Sequence, residues 1–98
     1  MIIVRDVFQL KFGKAKEAKA VMQESKKLMN EERLKKTRML IDLVGAAYTL
    51  VLEGSFTSLA DYEKEMSTVF SKPEWQTWYQ KFTPLVEKSY REIFTVVE

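Results

Sequence analysis

The sequence contains no cysteine and no histidine. Without cysteine the chain cannot form a disulfide, a thiolate nucleophile or a sulfur-ligated metal site. Without histidine it lacks the usual general base near neutral pH, the commonest zinc and haem ligand, and any Ser-His or Cys-His catalytic pair. The carboxylates do not have the spacing of a calcium-binding loop. We therefore expect neither a metal nor a cofactor.

Long apolar runs are also missing. The longest uncharged stretch, residues 43–52, is ten residues long and contains Gly45, whereas a transmembrane helix needs about 20 apolar residues. Arg5 and Asp6 interrupt the apolar start of the chain, which is untypical of a signal peptide. The sequence predicts a cytoplasmic protein that makes no membrane contact.

The chain has little excess of one charge, with a net charge of +2. The surplus is local, because residues 14–36 hold eight basic and four acidic side chains. Nucleic-acid-binding surfaces usually combine a stronger basic stripe with neighbouring aromatic rings, and here the aromatic residues lie in another segment. We expect no nucleic-acid partner and interpret the basic segment as a solvated helix face.

What remains is the composition of one globular domain covering residues 1–98, with 46% hydrophobic and 31% charged residues. The opening stretch, IIVRDVFQLKF, alternates with a period of two and predicts a strand. After Gly13 the apolar spacing changes to that of an amphipathic helix, which we expect to run to about Leu34.

Two further apolar stretches, TRMLIDLVG and AYTLVLEGSF, predict a hairpin that turns at Gly45-Ala46 or slightly more loosely. Ser58 is the expected N-cap of the next helix. Ser71 and Glu74 match a capping box for another helix. The final stretch, YREIFTVVE, alternates again and predicts a terminal strand.

Both prolines of the chain lie in its second half, and each constrains where a helix can begin or end. Pro73 is expected in the first turn of its helix, where a missing N–H group is tolerated. Pro84 would disrupt a helix interior, so we expect a kink or a restart at Thr83.

The predicted element order, βαββααβ, is that of a ferredoxin-like α+β sandwich. It implies a four-stranded antiparallel sheet with strand order 4-1-3-2 and both helical layers on one face. The middle strands are apolar on both faces, so the second face of the sheet also needs a cover. A second copy of the chain is the simplest cover, which predicts a homodimer.

The sequence resembles a known family at several points. IIVRDVFQLKFGK resembles the start of NIPSNAP-like and antibiotic-biosynthesis-monooxygenase-like domains. TLVLEGSFTSLADYEKEM, KPEWQTWYQKFTPLV and REIFTVV are similar, in this order, to the NIPSNAP pattern of a strand, a Phe-x-Ser-Leu helix start, a Pro-x-Trp helix and a closing strand. The resemblance implies a dimeric α/β barrel, in which two sheets face each other. The catalytic histidine of several members of this superfamily is absent here.

The segment PEWQTWYQKF contains four aromatic residues that fall on one helical arc, namely Trp75, Trp78, Tyr79 and Phe82. They are either core residues or the wall of a ligand pocket, and both interpretations can hold for different rings. Trp75 lies near the centre of the arc and Trp78 near its margin. We therefore expect Trp75 to be the deeper ring and Trp78 to contact a ligand or the partner subunit.

Asp6 is the other unusual residue, because it interrupts the apolar face of the first strand. A buried carboxylate needs a partner, so Asp6 either pairs with Arg38 or Arg91 or borders a wet cavity. Further charged residues interrupt the strands and could line a polar barrel interior or form salt bridges at the rim of a dimer: Arg5, Asp42, Glu53 and Glu92. Tyr48 could donate its hydroxyl group to a ligand or cap the end of the barrel.

The leading hypothesis is a homodimer that binds a small apolar or aromatic molecule. The candidate ligand contacts are Asp6, Arg38, Tyr48, Trp78, Tyr79 and Phe82. A cofactor-independent enzyme, such as an oxygenase or isomerase acting on a small aromatic or acyl compound, is an alternative. A structural interaction module without a ligand is another.

Overall fold

The four strands form one antiparallel sheet in the order β2-β3-β1-β4. The structure, a computed structural model, describes residues 1–98. Its strands are β1 (Ile2–Leu10), β2 (Thr37–Ile41), β3 (Thr49–Phe56) and β4 (Val86–Thr95). The predicted order 4-1-3-2 is confirmed, with β1 in the centre between β3 and β4.

The helices cover one face of this sheet. They are α1 (Ala15–Glu24), α2 (Glu31–Lys35), α3 (Leu59–Phe70) and α4 (Pro73–Phe82). The main core joins Ala18 and Met22 of α1 to Phe82 and to the strand residues Leu10 and Leu50. A smaller core joins Tyr62 of α3 to strand residues. The ferredoxin-like α+β fold expected from the apolar periodicity is therefore confirmed. None of the helices is both long enough and apolar enough to cross a membrane.

The first predicted helix is interrupted, so the expectation of one helix to about Leu34 was wrong. After Glu24 the chain tightens into a 3₁₀ turn (Ser25–Leu28), and the buried Ser25 hydroxyl donates to the Met22 carbonyl at 2.6 Å. The chain is extended at Met29, and Asn30 then caps the new helix α2 by accepting a hydrogen bond from the Arg33 N–H. Local side-chain hydrogen bonds of this kind compete with helix continuation.

The β2–β3 connection is longer than a tight hairpin. The predicted turn at Gly45-Ala46 becomes a loop of residues 42–48, and β2 already ends at Ile41. Asp42 closes the loop by accepting a hydrogen bond from the Thr49 N–H at 2.9 Å. The apolar residues Leu43 and Val44 are consequently exposed rather than part of the strand.

The boundaries around α3 and α4 were predicted with mixed success. Ser58 caps α3 as expected, accepting from the Asp61 N–H. The prediction of a capping box formed by Ser71 and Glu74 was wrong. Lys72 is the N-cap residue of α4, and the Ser71 hydroxyl donates to the Thr68 carbonyl.

The proline positions are confirmed, but the last strand begins earlier than expected. Pro73 lies in the first turn of α4, and a separate 3₁₀ turn starts at Thr83. The strand after it, β4, begins at Val86 rather than Tyr90.

Residues of β1 alternate between the two faces of the sheet. Val4, Phe8 and Leu10 face the helices. Val7 lies on the opposite face, which we call the outer face, beside Val51 of β3 and Tyr90 of β4. The sheet thus separates two surfaces with different roles, a helix-covered surface that contains a cleft and an outer face without cover.

Candidate functional site

A cleft of about 430 Å³ lies between the helix-covered face of the sheet and the helices. Its floor is formed by β1, β3 and β4, and its walls come from α1, α3 and α4. Most of the lining residues are hydrophobic, and they include Val4, Phe8, Met22, Leu28, Leu52, Phe56, Met66, Val69, Phe70, Trp75, Trp78, Tyr79 and Phe82. Few polar side chains enter it, so each of them constrains what the cleft can bind.

Stacked aromatic rings from α4 form one wall of the cleft. Trp78 lies parallel to Phe82 with ring centroids 5.0 Å apart. Trp75 lies parallel to Tyr79 at 4.7 Å, and its other neighbour is Phe70 of α3, also at 4.7 Å. Residues three and four apart on a helix share a face, which explains the pairing of these rings. The wall presents flat π-surfaces to the cleft.

Both tryptophans are half-buried and both line the cleft, and they differ in their contacts. The Trp78 indole N–H donates to the Val21 carbonyl at 2.7 Å and the ring packs against the main core. Trp75 instead stacks on Tyr79 and contacts the tilted ring of Phe70, and each of these two neighbours is 45% exposed. Trp78 is therefore the ring that ties α4 to α1, and Trp75 belongs to the half-exposed part of the cleft wall.

Asp6 and Arg91 form an ion pair on the floor of the cleft. They face each other in the β1–β4 register, and Arg91 Nε donates to Asp6 Oδ1 at 2.6 Å. The Asp6 side chain is 23% exposed and that of Arg91 50%. The structure thus confirms the expected pairing, with Arg91 rather than Arg38, and it also places Asp6 at the cleft.

Tyr62 lies beside this ion pair. Its ring packs edge-on against Phe56 at 5.0 Å, and the Arg91 guanidinium carbon lies 5.7 Å from the ring centroid. Burial raises the pKa of Tyr62, the positive charge of Arg91 opposes this rise, and the negative charge of Asp6 adds to it. Tyr62 is therefore a neutral hydrogen-bond donor at physiological pH.

The pKa of Arg91 is also raised. Burial alone would lower the pKa of Arg91, but the hydrogen bond and negative charge of Asp6, together with Tyr62, outweigh this effect. Arg91 thus stays a cation, and the pair it forms with Asp6 has no net charge.

Arg33 lies at the far end of the cleft and was missed by the sequence analysis. Its guanidinium lies 3.7 Å from the centroid of the Phe56 ring. It donates to both carboxylate oxygens of Glu65, at 3.2 and 3.1 Å, and to the Ser55 carbonyl at 2.8 Å. Arg33 is only 8% exposed. Because its donors are engaged, we assign it a structural role that joins α2, β3 and α3.

The structure brings four of the six predicted ligand contacts together in the cleft: Asp6, Trp78, Tyr79 and Phe82. Arg38 points to the outer face and pairs with Glu53, whose other oxygen lies 3.7 Å from Arg5 Nε. Tyr48 lies at the end of the β2–β3 loop with its ring 5.1 Å from that of Phe12. As ligand contacts, all six residues remain predictions.

The acidic side chains do not converge on a metal site. No group of three or more aspartate or glutamate residues lies close enough to hold a metal ion. The polar side chains that line the cleft include the ion pair, Tyr62 and Ser89.

The fold is shared with solved structures of low sequence identity. An uncharacterised NIPSNAP domain protein from Burkholderia xenovorans has a TM-score of 0.83 at 13% identity, over 99% of this chain and 95% of that chain. A NIPSNAP family protein from Agrobacterium tumefaciens has a TM-score of 0.87 at 16% identity, over 99% and 93%. SnoaB from Streptomyces nogalater, a cofactor-independent oxygenase, has a TM-score of 0.72 at 12% identity, over 99% and 93%.

At these identities the likeness establishes the fold alone. Among curated proteins, none matches this sequence. The sequence model of the NIPSNAP family, in contrast, matches residues 5–98, which is nearly the whole chain. Because this match covers far more than half of the sequence, the chain belongs to the NIPSNAP family.

Proposed function

We propose that this protein binds a flat, largely apolar small molecule in the cleft between its sheet and its helices. The observation that carries the proposal is the aromatic wall of Trp75, Tyr79 and Phe70 facing a cleft of about 430 Å³. Ligand pockets for small molecules have volumes of about 300–1,000 Å³ and are mostly apolar with a few polar groups. The cleft matches this description in size and lining.

The exposure of the wall favours a ligand over a purely structural role. Phe70 and Tyr79 both remain 45% exposed at the edge of the cleft. Protein interiors are otherwise close-packed, and apolar surface left open on a soluble protein is commonly a binding surface. A flat ring inserted against Trp75 would cover these side chains without any rearrangement of the backbone.

We further propose that the protein is a homodimer joined through the outer face of the sheet. On this face Tyr90 and Phe94 of the edge strand β4 are 60% and 46% exposed, beside the buried Val7 and Val51 of the inner strands β1 and β3. Arg5 Nε is buried there without a hydrogen-bond partner, although Glu53 lies nearby. A second copy would cover the exposed rings and bring further polar groups to Arg5. The cytoplasmic location expected from the sequence stays a prediction.

A cofactor-independent enzyme is the second candidate. It is favoured by one observation, the placement of a carboxylate, a guanidinium and a neutral phenol next to each other at an otherwise apolar cleft. A solved structure with the same fold, SnoaB, is described as a cofactor-independent oxygenase. In such an enzyme Asp6 would accept a proton from the substrate, and Arg91 with Tyr62 would stabilise the resulting negative charge.

Native mass spectrometry of the protein purified from its own host tests the binding proposal and the dimer together. We expect the mass of a dimer and one retained small molecule per protomer. Release of the molecule should change the fluorescence of the two tryptophans, because both line the cleft. A dimer that carries no molecule, and whose tryptophan fluorescence does not respond to any flat aromatic compound, would favour the interaction module without a ligand.

A further inference from the structure

The polar groups at the cleft leave specific hydrogen-bonding positions open. The ion pair uses Arg91 Nε and Asp6 Oδ1. The Nη atoms of Arg91, the second Asp6 oxygen and the Tyr62 hydroxyl form no hydrogen bond within the chain, and all three residues line the cleft. The site thus offers several donors and one strong acceptor next to an apolar wall.

The charge of this site argues against an anionic ligand. Asp6 and Arg91 neutralise each other, and the unused oxygen of Asp6 would repel a carboxylate or phosphate. That oxygen needs a donor, while the Arg91 Nη groups and Tyr62 need an acceptor. One neutral group that both donates and accepts satisfies all of them, and a hydroxyl group is the smallest such group.

We propose that Asp6, Arg91 and Tyr62 recognise a hydroxyl group on the ring of the bound molecule, so that the ligands of this cleft are phenols. The hydroxyl donates to the free oxygen of Asp6 and accepts from Arg91 or Tyr62. The ring then lies against the aromatic wall. This inference rests on the proposed binding function and adds its chemical class. Arg91 donates to Asp6 and so fixes the direction of its carboxylate.

Tyr62 supports the assignment because it stays protonated. Burial raises its pKa, so its hydroxyl remains a donor over the whole physiological range. Its ring is fixed by the edge-on contact with Phe56 at 5.0 Å. A donor whose position is fixed before binding loses little conformational entropy when the ligand arrives.

Four probes of matched shape test the proposal by titration calorimetry: naphthol, methoxynaphthalene, naphthalene and naphthoate. Methoxynaphthalene keeps the accepting oxygen of naphthol but lacks the donor. We expect naphthol to bind about tenfold more tightly than methoxynaphthalene, which is the effect of one hydrogen bond to a charged group. Naphthoate should bind less tightly than naphthol because of Asp6.

Two isosteric variants identify the groups responsible. Asp6→Asn and Tyr62→Phe should each reduce the preference for naphthol over naphthalene at least threefold. Asp61→Asn, an exposed change in the first turn of α3 outside the cleft, is the matched control and should bind all probes like the original protein. Thermal unfolding of each variant shows whether it is folded.

The outcomes separate this inference from the proposed function. Equal binding of naphthol, methoxynaphthalene and naphthalene would overturn hydroxyl recognition and leave the apolar binding function intact. Tighter binding of naphthoate would overturn it in favour of an anion site. Failure of every probe to bind the original protein would overturn both proposals.

Discussion

The indole N–H of Trp78 donates to the carbonyl of Val21 at 2.7 Å and thereby joins α4 to α1 across the top of the main core. The bond distinguishes the two sides of the aromatic segment. Its Trp78 side fixes the position of the helix, and its Trp75 side is left to line the open part of the cleft. A rigid wall of this kind is what a binding site for a flat molecule requires.

We predict that Trp78→Ala destabilises the protein more than Trp75→Ala. Removing Trp78 deletes a ring at the core and leaves the Val21 carbonyl without its donor, so we expect a loss of about 3–5 kcal/mol in the free energy of unfolding. Removing Trp75 should reduce it by about 1–2 kcal/mol, because its neighbours are already half-exposed. Urea unfolding of both variants measures the difference.

Ligand binding should show the opposite order. Trp75→Ala should weaken the binding of naphthalene, whereas Trp78→Phe, which keeps a ring at the position, should bind it normally. Equal losses of stability at the two positions would contradict the division of the aromatic segment proposed here.

We predict that Gly54→Ala destabilises the protein through steric contact. A Cβ atom at Gly54 would lie 3.3 Å from Phe56 Cε2 and 3.4 Å from Arg33 Nη1. Neither side chain can move freely, because Phe56 is buried and Arg33 is bonded to Glu65 and to the Ser55 carbonyl. Overpacking of this kind costs about 1–3 kcal/mol, which thermal or urea unfolding would detect.

The control for Gly54→Ala changes one of the side chains that the new methyl group would contact. In an Arg33→Lys background the guanidinium that crowds the new methyl group is absent, so Gly54→Ala should have a smaller effect there. An undiminished effect would show that Arg33 does not cause the strain.

The fold was largely predictable because its signals are local. The period-two alternation of β1 and the helical spacing in α3 and α4 each depend on neighbours in the sequence. The pairing of Asp6 with an arginine was one of two alternatives that the sequence left open, because a carboxylate on an apolar strand face needs a partner or contact with water, and the structure shows the partner to be Arg91.

The burial of Arg33 and the contacts of the two tryptophans could not be predicted from local sequence signals. Arg33 occurs in a lysine-rich segment typical of a solvated surface, and its burial depends on Glu65 and Phe56, which are distant in sequence. The helical arc of α4 was assigned as if the sheet alone covered it. In the structure α1 also contacts α4, through the hydrogen bond from Trp78 to Val21, and both tryptophans are half-buried.

We predict that Tyr90→Lys dissociates the proposed homodimer. Tyr90 is 60% exposed and lies opposite Val7 on the outer face, in the edge strand β4. A lysine on each copy would place two desolvated charges of like sign in one interface. Light scattering at micromolar concentration should report a dimer for the original protein and a monomer for the variant.

The matched control is Leu59→Lys, at an apolar residue of α3 that is 54% exposed and lies away from the outer face. This variant should remain dimeric. If the original protein itself is a stable monomer at this concentration, the dimer proposal is wrong.

The last prediction concerns the effect of Tyr62 ionisation on the free energy of unfolding at high pH. Burial raises the pKa of Tyr62 in the folded protein above its usual value of about 10. The folded state then holds this proton more tightly than the unfolded state, so the contribution of Tyr62 is fully present below about pH 10 and is lost as the pH rises through the folded pKa. Tyr62→Phe removes this titration. We therefore expect the free energy of unfolding of the original protein to fall more steeply above pH 10 than that of Tyr62→Phe, as measured by urea unfolding at a series of pH values. Parallel curves for the two proteins would show that the Tyr62 hydroxyl is not shielded from solvent, and would remove the support that its protonated state gives to recognition of a hydroxyl ligand.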